Sequence, residues 1–350
     1  MNAIAPVSAR DRESGRVAGT CLRLTALVIG LALLAAVVLA SLIVGARPIA
    51  VATVLDALLA YDGLLAEHII IVDHRVPRTL LGVLCGAGFG VSGALIQAAT
   101  RNPLADPGIL GVNAGAAFSV TLAVGLFGLH SIDAYLCFAF VGAILVTLAV
   151  YALGVAGRDG PTPGRLVLSG VALSAVLGGI GSGVAPLKPE AFDSMRFWSI
   201  GSIGGRSMAV VGAIAPFIGA GLSLALIVAR SLNAVALGDD LARSLGATIL
   251  RARILTLLAV TVLAGAATAA VGPIGFVGLV VPHVVRWFTG PDQRWIIPMT
   301  MIYGPVLLLA ADVGGRLILF PAELEAGIVT AFLGAPVLIL LARRRQASGL

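Results

Sequence analysis

The chain is expected to be an all-α, polytopic membrane protein with about ten transmembrane helices, and three observations carry that expectation. Hydrophobic residues make up 59% of the 350 residues and charged residues only 11%, with a mean hydropathy of +1.06; soluble domains carry about 25% charged residues. Apolar runs of about twenty residues, the length that crosses a bilayer core as a helix, recur between breaks rich in charge or proline. No polar stretch is long enough to build a sizeable aqueous domain.

The N-terminal tail, residues 1–23, holds Arg10, Arg12, Arg16 and Arg23. The apolar run that follows, 24–45, is about twice a signal-peptide core and reads as an uncleaved first span. Further spans are expected at 76–98, 109–128, 132–154, 165–186, 207–229, 253–271, 274–289, 295–316 and 326–342. They form one transmembrane domain at 24–342, ahead of a short tail at 343–350. With the N-terminus in the cytoplasm, sixteen of the 23 basic residues fall in inside segments and seven outside. That bias is the one the positive-inside rule describes, and it places both termini in the cytoplasm. Two outside interruptions exceed a tight turn: 46–75, which contains the amphipathic stretch VATVLDALLA, and 187–206, which mixes aromatic and charged groups. Both suit a position along the membrane surface. Inside, SLNAVALGDDLARSLGATILRAR from Ser231 spaces its aliphatic residues for a helix, with Asp239 and Asp240 early and Arg243 late, as a helix dipole prefers.

Composition also excludes functions. The net charge of +6 comes from arginines dispersed among short loops rather than gathered on one surface, so no nucleic-acid interface is indicated. Cys21, Cys85 and Cys137 are isolated, and the four histidines are scattered; His283, beside Pro282, reads as a helix-end residue. No metal site, haem constellation or disulfide framework follows from them, which argues against a membrane-embedded enzyme or respiratory subunit. Lys188 is the only lysine, so the chain has no G-x-x-x-x-G-K-[ST] phosphate loop. If transport is ATP-driven, a separate subunit binds ATP and Mg and grips this chain from the cytoplasm, with residues 236–247 as the handle. No cofactor is expected on the chain itself.

The stretch from Arg75 to Gly115 organises the rest. Gly82, Gly86, Gly88, Gly90 and Gly93 approach small-residue spacing, which lets helix backbones come close in lipid. The alternative is a locally weak helix that bends when the protein changes state. Asn102, Pro103, Asp106 and Pro107 form the inner turn of a hairpin; Gln97 and Asn113 flank it as caps or as pathway groups. Arg75 and Arg78, three residues apart, share a side at the outer mouth, with Arg316 a third cation there. They read equally as arginines snorkelling to headgroups or as a docking site for acidic groups of a soluble partner. Asp312 is the one carboxylate well inside an apolar run, and Arg316, one turn on, makes a structural pair available; a proton relay is the other reading.

Six motifs then occur in order: RVPR at 75–78, SGALIQ at 92–97, RNPLADPGILGVNAGA at 101–116, ALGDDLARSLGA at 236–247, GPIGFVGLVVPHVVR at 272–286 and GIVTAFLGAP at 327–336. Over about residues 70–342 the chain resembles the iron-siderophore, haem and cobalamin permeases of bacterial ATP-binding-cassette importers. The resemblance implies a type II importer permease in the inner membrane, a transport subunit and not an enzyme. It further implies a second permease subunit, identical or paralogous, two ATPase subunits, and a periplasmic or lipid-anchored siderophore-binding protein. By matching positions, Arg75, Arg78 and Arg316 would pair with glutamates of the binding protein. Leu237, Gly238, Asp239, Asp240, Ala242, Arg243, Leu245 and Gly246, within about 231–250, resemble the coupling helices that enter the ATPase groove. Thr162, Pro163 and Gly164, in the loop at 158–165, match the inner gate. The family's Glu-Leu-Pro is here Glu323-Leu324-Glu325, and its frequent aromatic after Gly-Ala-Pro is Val337. The hairpin motif and FDSMRFWSIGSIGGR at 192–206 look closest to the ferric-siderophore branch. Alternatives are a haem or cobalamin permease of the same fold and, from another class, a proton-driven secondary transporter.

Overall fold

Each expected apolar run is a helix in the computed structural model, which describes residues 9–129, 132–155, 163–184, 198–236, 238–244 and 248–343. In chain order the helices are α1 Ala9–Ile43, α2 Val51–Leu59, α3 Val76–Thr100, α4 Val112–Phe127, α5 Ile132–Val155 and α6 Pro163–Val184. They continue as α7 Met208–Ala236, α8 Asp239–Ser244, α9 Ile249–Val271, α10 Val277–Thr289, α11 Gln293–Ile318 and α12 Ala326–Arg343. A short turn, Ala66–Ile69, and a π-helical segment, Ile70–Arg75, lead straight into α3. No strand occurs among the described residues.

The apolar helices are less uniform than the expected spans. Seven are long and apolar enough to cross a membrane, whereas α4, α10 and α12 are shorter. Local chemistry accounts for two of the short ones. The chain reaches α4 through a 3-10 turn, Pro107–Leu110, and Gly111, whose φ of 76° suits glycine. Between α9 and α10 it leaves the helix at Gly272, with φ 77°, and re-enters after Phe276, with φ 68°. A side chain at Gly272 would run into the carbonyl oxygen of Trp198. At its other end α7 overshoots the expected span and runs to Ala236. Ser231–Ala236 are therefore the last turns of a long helix, and only α8 stands apart as a separate element. The stretch at 187–197 lies outside the described residues.

Helix α3 is the centre of the bundle. Eighteen of its 25 residues are buried, and α11, α9, α7 and α10 pack on it from different sides. Helices α4 and α5 pair and lean on α9, and α1 packs along α11. The glycines of α3 explain how one helix takes so many neighbours. Gly82, Gly86 and Gly90, at a spacing of four, face α11. A Cβ on Gly86 would stand 2.6 Å from the Pro305 Cα, and one on Gly90 2.9 Å from Thr300 Cγ2. Gly93 meets α10 backbone to backbone at Gly278, and Gly88 meets Ile218 of α7 and the Leu263 carbonyl of α9. In lipid no hydrophobic force drives helices together, so this close dispersion contact is a main source of cohesion.

A methyl group at Gly93 has nowhere to go, because the Gly278 backbone on the opposite helix cannot yield as a flexible side chain would. Gly93→Ala is expected to destabilise the purified protein by about 1–3 kcal/mol through overpacking. Gly212→Ala, on α7 where nothing lies within 4 Å, should be neutral or slightly stabilising. Thermal melts followed by size-exclusion chromatography distinguish the two.

Candidate functional site

Helix α1 ends with backbone carbonyls that no helical N–H can reach. Two arginines from distant parts of the chain supply the donors. Arg75 donates from Nη1 to the carbonyls of Leu42 at 2.6 Å and Ile43 at 2.7 Å, and from Nη2 to that of Arg47. Arg316, on α11, donates from Nη1 to the carbonyls of Ser41 at 2.9 Å and Val44 at 2.8 Å. The hydroxyls of Ser41 and Thr79 lie 2.8 Å apart and tie α1 directly to α3. Guanidinium charge also complements the negative end of a helix dipole.

Asp312 balances this positive charge. Its carboxylate, 1% exposed, accepts from Arg316 Nε at 3.0 Å and from Arg316 Nη2 one helical turn away. It also accepts from Arg78 of α3, at 3.1 Å from Nε and 2.7 Å from Nη2. Arg78 has a second acid: its Nη1 donates to Glu323 at 2.6 Å. Glu323 is 38% exposed and sits on the loop after α11, which folds back through a Leu324 N–H to Gly315 carbonyl bond. Asp312 is thus a buried bridge between two arginines, and Glu323 an outer partner of one of them.

This geometry corrects the expectation that Arg75, Arg78 and Arg316 jointly offer their charge outward. Arg75 is 6% and Arg316 3% exposed; the Arg75 guanidinium is spent at the end of α1, and that of Arg316 is shared between α1 and Asp312. In an apolar setting the orphaned carbonyls and the acid claim them before any partner can. Only Arg78 keeps a solvent-facing contact, through Glu323. Glu323, Ser41 and Thr79 are the members of this cluster that sequence reasoning did not single out. The one available signal was Glu323 beside Glu325, where the family pattern differs.

The opposite end of the bundle holds the remaining candidates. Arg101 closes α3 in the left-handed region, with φ 51°, and its Nε donates to the Val235 carbonyl of α7 at 2.9 Å. In the hairpin turn, Asn102 Oδ1 accepts the Leu104 N–H at 3.0 Å, and Asp106 Oδ1 accepts the Gly108 N–H at 2.8 Å. Pro103 lies between them, and Pro107 is buried as the first residue of the 3-10 turn. Burial pushes the Asp106 carboxyl above its usual range, against the Gly108 bond. Nearby Thr268 donates to Asn113 at 3.1 Å, and Gln97 donates to the Gly278 carbonyl at 3.0 Å, so both amides act between helices.

Helix α8 projects at this same end. Gly238, with φ 110°, turns the chain out of α7, and its carbonyl accepts the Ala242 N–H at 2.9 Å. Ala242 is buried whereas Leu241 and Arg243 are exposed. Asp239 and Asp240 begin the helix; Leu237, Leu245 and Gly246 lie outside the described residues. The base of this corner is fixed by Asn233 of α7, which donates to Asp292 at 2.6 Å and accepts the Gln293 N–H at 2.8 Å. Asp292 caps α11, and its bond to Arg294 leads the effects that lower its carboxyl to about 2. Of the gate residues, Pro163 opens α6 and Gly164 is exposed, while Thr162 lies outside the described residues. No group of three potential metal ligands occurs among the described residues.

Likeness to other proteins covers nearly all of these elements. The FecCD transport family profile matches residues 33–344. The ferric enterobactin transport system permease protein FepD of Escherichia coli (strain K12) is 47% identical over 312 residues, covering 88% of this chain and 92% of that protein. The Fe(3+)-citrate import system permease protein YfmD of Bacillus subtilis (strain 168) is 40% identical over 337 residues, 96% and 98% of the two chains. A solved inward-facing metal-chelate type ABC transporter superposes with a TM-score of 0.79 at 28% identity, over 90% of this chain and 98% of that one. With its multi-pass bundle of apolar helices, the chain belongs to the FecCD transport family of permeases.

Proposed function

We propose that this chain is the permease subunit of an ATP-binding-cassette importer that carries a ferric siderophore inward across the bacterial inner membrane. The observation that carries the substrate class is its 47% identity, over 92% of that protein, to a permease named for ferric enterobactin transport. In this reading both termini are cytoplasmic, the Arg78 end faces outward and α8 faces the cytoplasm. The chain works beside a second permease subunit and above two ATPase subunits, which bind ATP and Mg. It does no covalent chemistry.

The packing suggests how the work divides. Helix α3, held by four neighbours, is the fixed post. The α7–α8–α9 corner receives the ATPase stroke: α8 is short, stands between two long helices and follows Gly238. ATP-driven closure of the ATPases shifts this corner, and the path between the two permease subunits exchanges which side is open. A proton-driven transporter would need a titratable acid in the pathway. Asp312, the one carboxylate deep in an apolar run, is occupied by two guanidiniums, which favours the ATP-driven reading. Outside, Arg78 is the docking point for the binding protein, and Glu323 holds its place. An incoming carboxylate displaces the half-exposed Glu323 while Asp312 keeps the other side of the guanidinium.

Reconstitution tests the function directly. Vesicles containing this chain, its partner permease and ATPase, with the binding protein outside, should accumulate ferric siderophore only with ATP. Alanine at Asp239, Asp240 and Arg243 together should abolish transport-coupled ATP hydrolysis; uptake by this chain alone in a proton gradient would overturn the proposal. The docking assignment has its own measurement. Arg78→Glu should weaken binding-protein affinity and reduce its salt dependence. Glu323→Gln should strengthen affinity about fivefold, the scale of a ~1 kcal/mol competing ion pair. Unchanged affinity in both variants would return Arg78 to a purely structural role.

A further inference from the structure

Helix α2 and the loop after it carry an apolar surface that the bundle leaves uncovered. At about 100° per residue, α2 has three faces. Val54 and Ala57 are buried against Ile49 and Ile71. Val51, Leu55, Leu58 and Leu59 are exposed along a second face, Leu59 at 86%. Ala52, Thr53 and Asp56 make up the third. Leu64, 93% exposed, extends the apolar surface into the loop. The exposed side of α2 is thus itself divided into an apolar arc and a small, polar arc. That division suits a helix with lipid on one side and water on another.

Its position agrees. Helix α3 has 25 residues, about 37 Å of helical rise against a hydrocarbon core of about 30 Å, so its first turn already lies near the core boundary. Ile71, which α2 packs on, precedes α3 by five residues in the π-helical segment and so lies beyond that boundary, toward the headgroups. Helix α2 also lies against the end of α1. Helix α1 itself presents exposed Val28, Leu31 and Leu39, the apolar side of a helix that lipid covers, so α2 sits at the end of a lipid-facing helix. Tyr61, half-exposed beyond the C-terminal end of α2, and Arg47, paired at 2.9 Å with Glu67, flank it with the amphipathic groups that favour a membrane interface.

We propose that α2 is an interfacial anchor lying in the membrane plane, with Val51, Leu55, Leu58 and Leu59 inserted among the lipids of the leaflet at the Arg78 end and Asp56 toward water. It would set the depth at which the Arg75 clasp on α1 sits. The proposal is independent of the substrate.

Spin labels test it in the full-length chain reconstituted into phosphatidylethanolamine and phosphatidylglycerol vesicles. Leu59→Cys, Leu55→Cys and Asp56→Cys are made one at a time with Cys21→Ser and Cys137→Ser; Cys85 is buried. Labels at 55 and 59 should be several-fold more accessible to oxygen than to a water-soluble nickel chelate, at a depth of about 5–10 Å below the phosphates. The label at 56 should show the reverse preference. Labels at 55 and 59 as open to the chelate as that at 56 would overturn the proposal. Shielding of 55 and 59 from both reagents would overturn it as well, because it marks a protein rather than a lipid cover.

Discussion

At one end of the bundle a single buried carboxylate joins three helices. Asp312 of α11 takes Arg316 from its own helix and Arg78 from α3, and Arg316 in turn caps α1. Each member depends on the others for a physical reason. A guanidinium in an apolar setting is costly without an acceptor, a carboxylate more so without a donor, and the last carbonyls of a helix need N–H groups from elsewhere. Removing the acid would take the buried carboxylate from two cations at once. The cluster therefore sets where α1, α3 and α11 begin or end relative to one another, and every outward-facing feature of this end, Glu323 and α2 included, is built on that alignment.

Below the cluster, cohesion changes character. The face of α3 toward α11 has no polar bond to offer; Gly82, Gly86 and Gly90 bring the backbones together instead, and Gly93 does the same toward α10. A helix packed this closely cannot slide without losing contact on several sides, since such interfaces are bistable rather than continuously deformable. Freedom is left to elements with fewer ties: α8, whose base is held by the Asn233–Asp292 and Arg101–Val235 bonds, and α6, whose apolar side chains are largely exposed. The division between a rigid post and a loosely tied corner is what an alternating-access permease needs.

Much of this was legible in the sequence because periodicity and composition report local tendencies. The apolar runs, the hairpin turn at Asn102 to Pro107 and the glycine face of α3 all depend on neighbours in the chain. What was hidden depends on partners far apart. Arg78 and Asp312 are separated by 234 positions and Arg316 and Ser41 by 275, so spacing could not tell an inward arginine from an outward one. Glu323 was visible only as the first residue of a Glu-Leu-Pro pattern that departs at Glu325, with no hint that it faces Arg78. How the break between α9 and α10 is made escaped hydropathy as well: the expected spans already part between 271 and 274, but the parting is built by Gly272 and a left-handed Phe276, which an averaged apolar window does not report.

The central claim is that Asp312 and Arg78 stabilise each other across α11 and α3. A double-mutant cycle on the purified chain, with Arg78→Met, Asp312→Asn and both together, measures it through thermal unfolding. Each single substitution takes from a buried charged group one of its two partners, so the account predicts a double variant more stable than the sum of the two losses, by on the order of 1–3 kcal/mol. Losses that add within about 0.5 kcal/mol would contradict it.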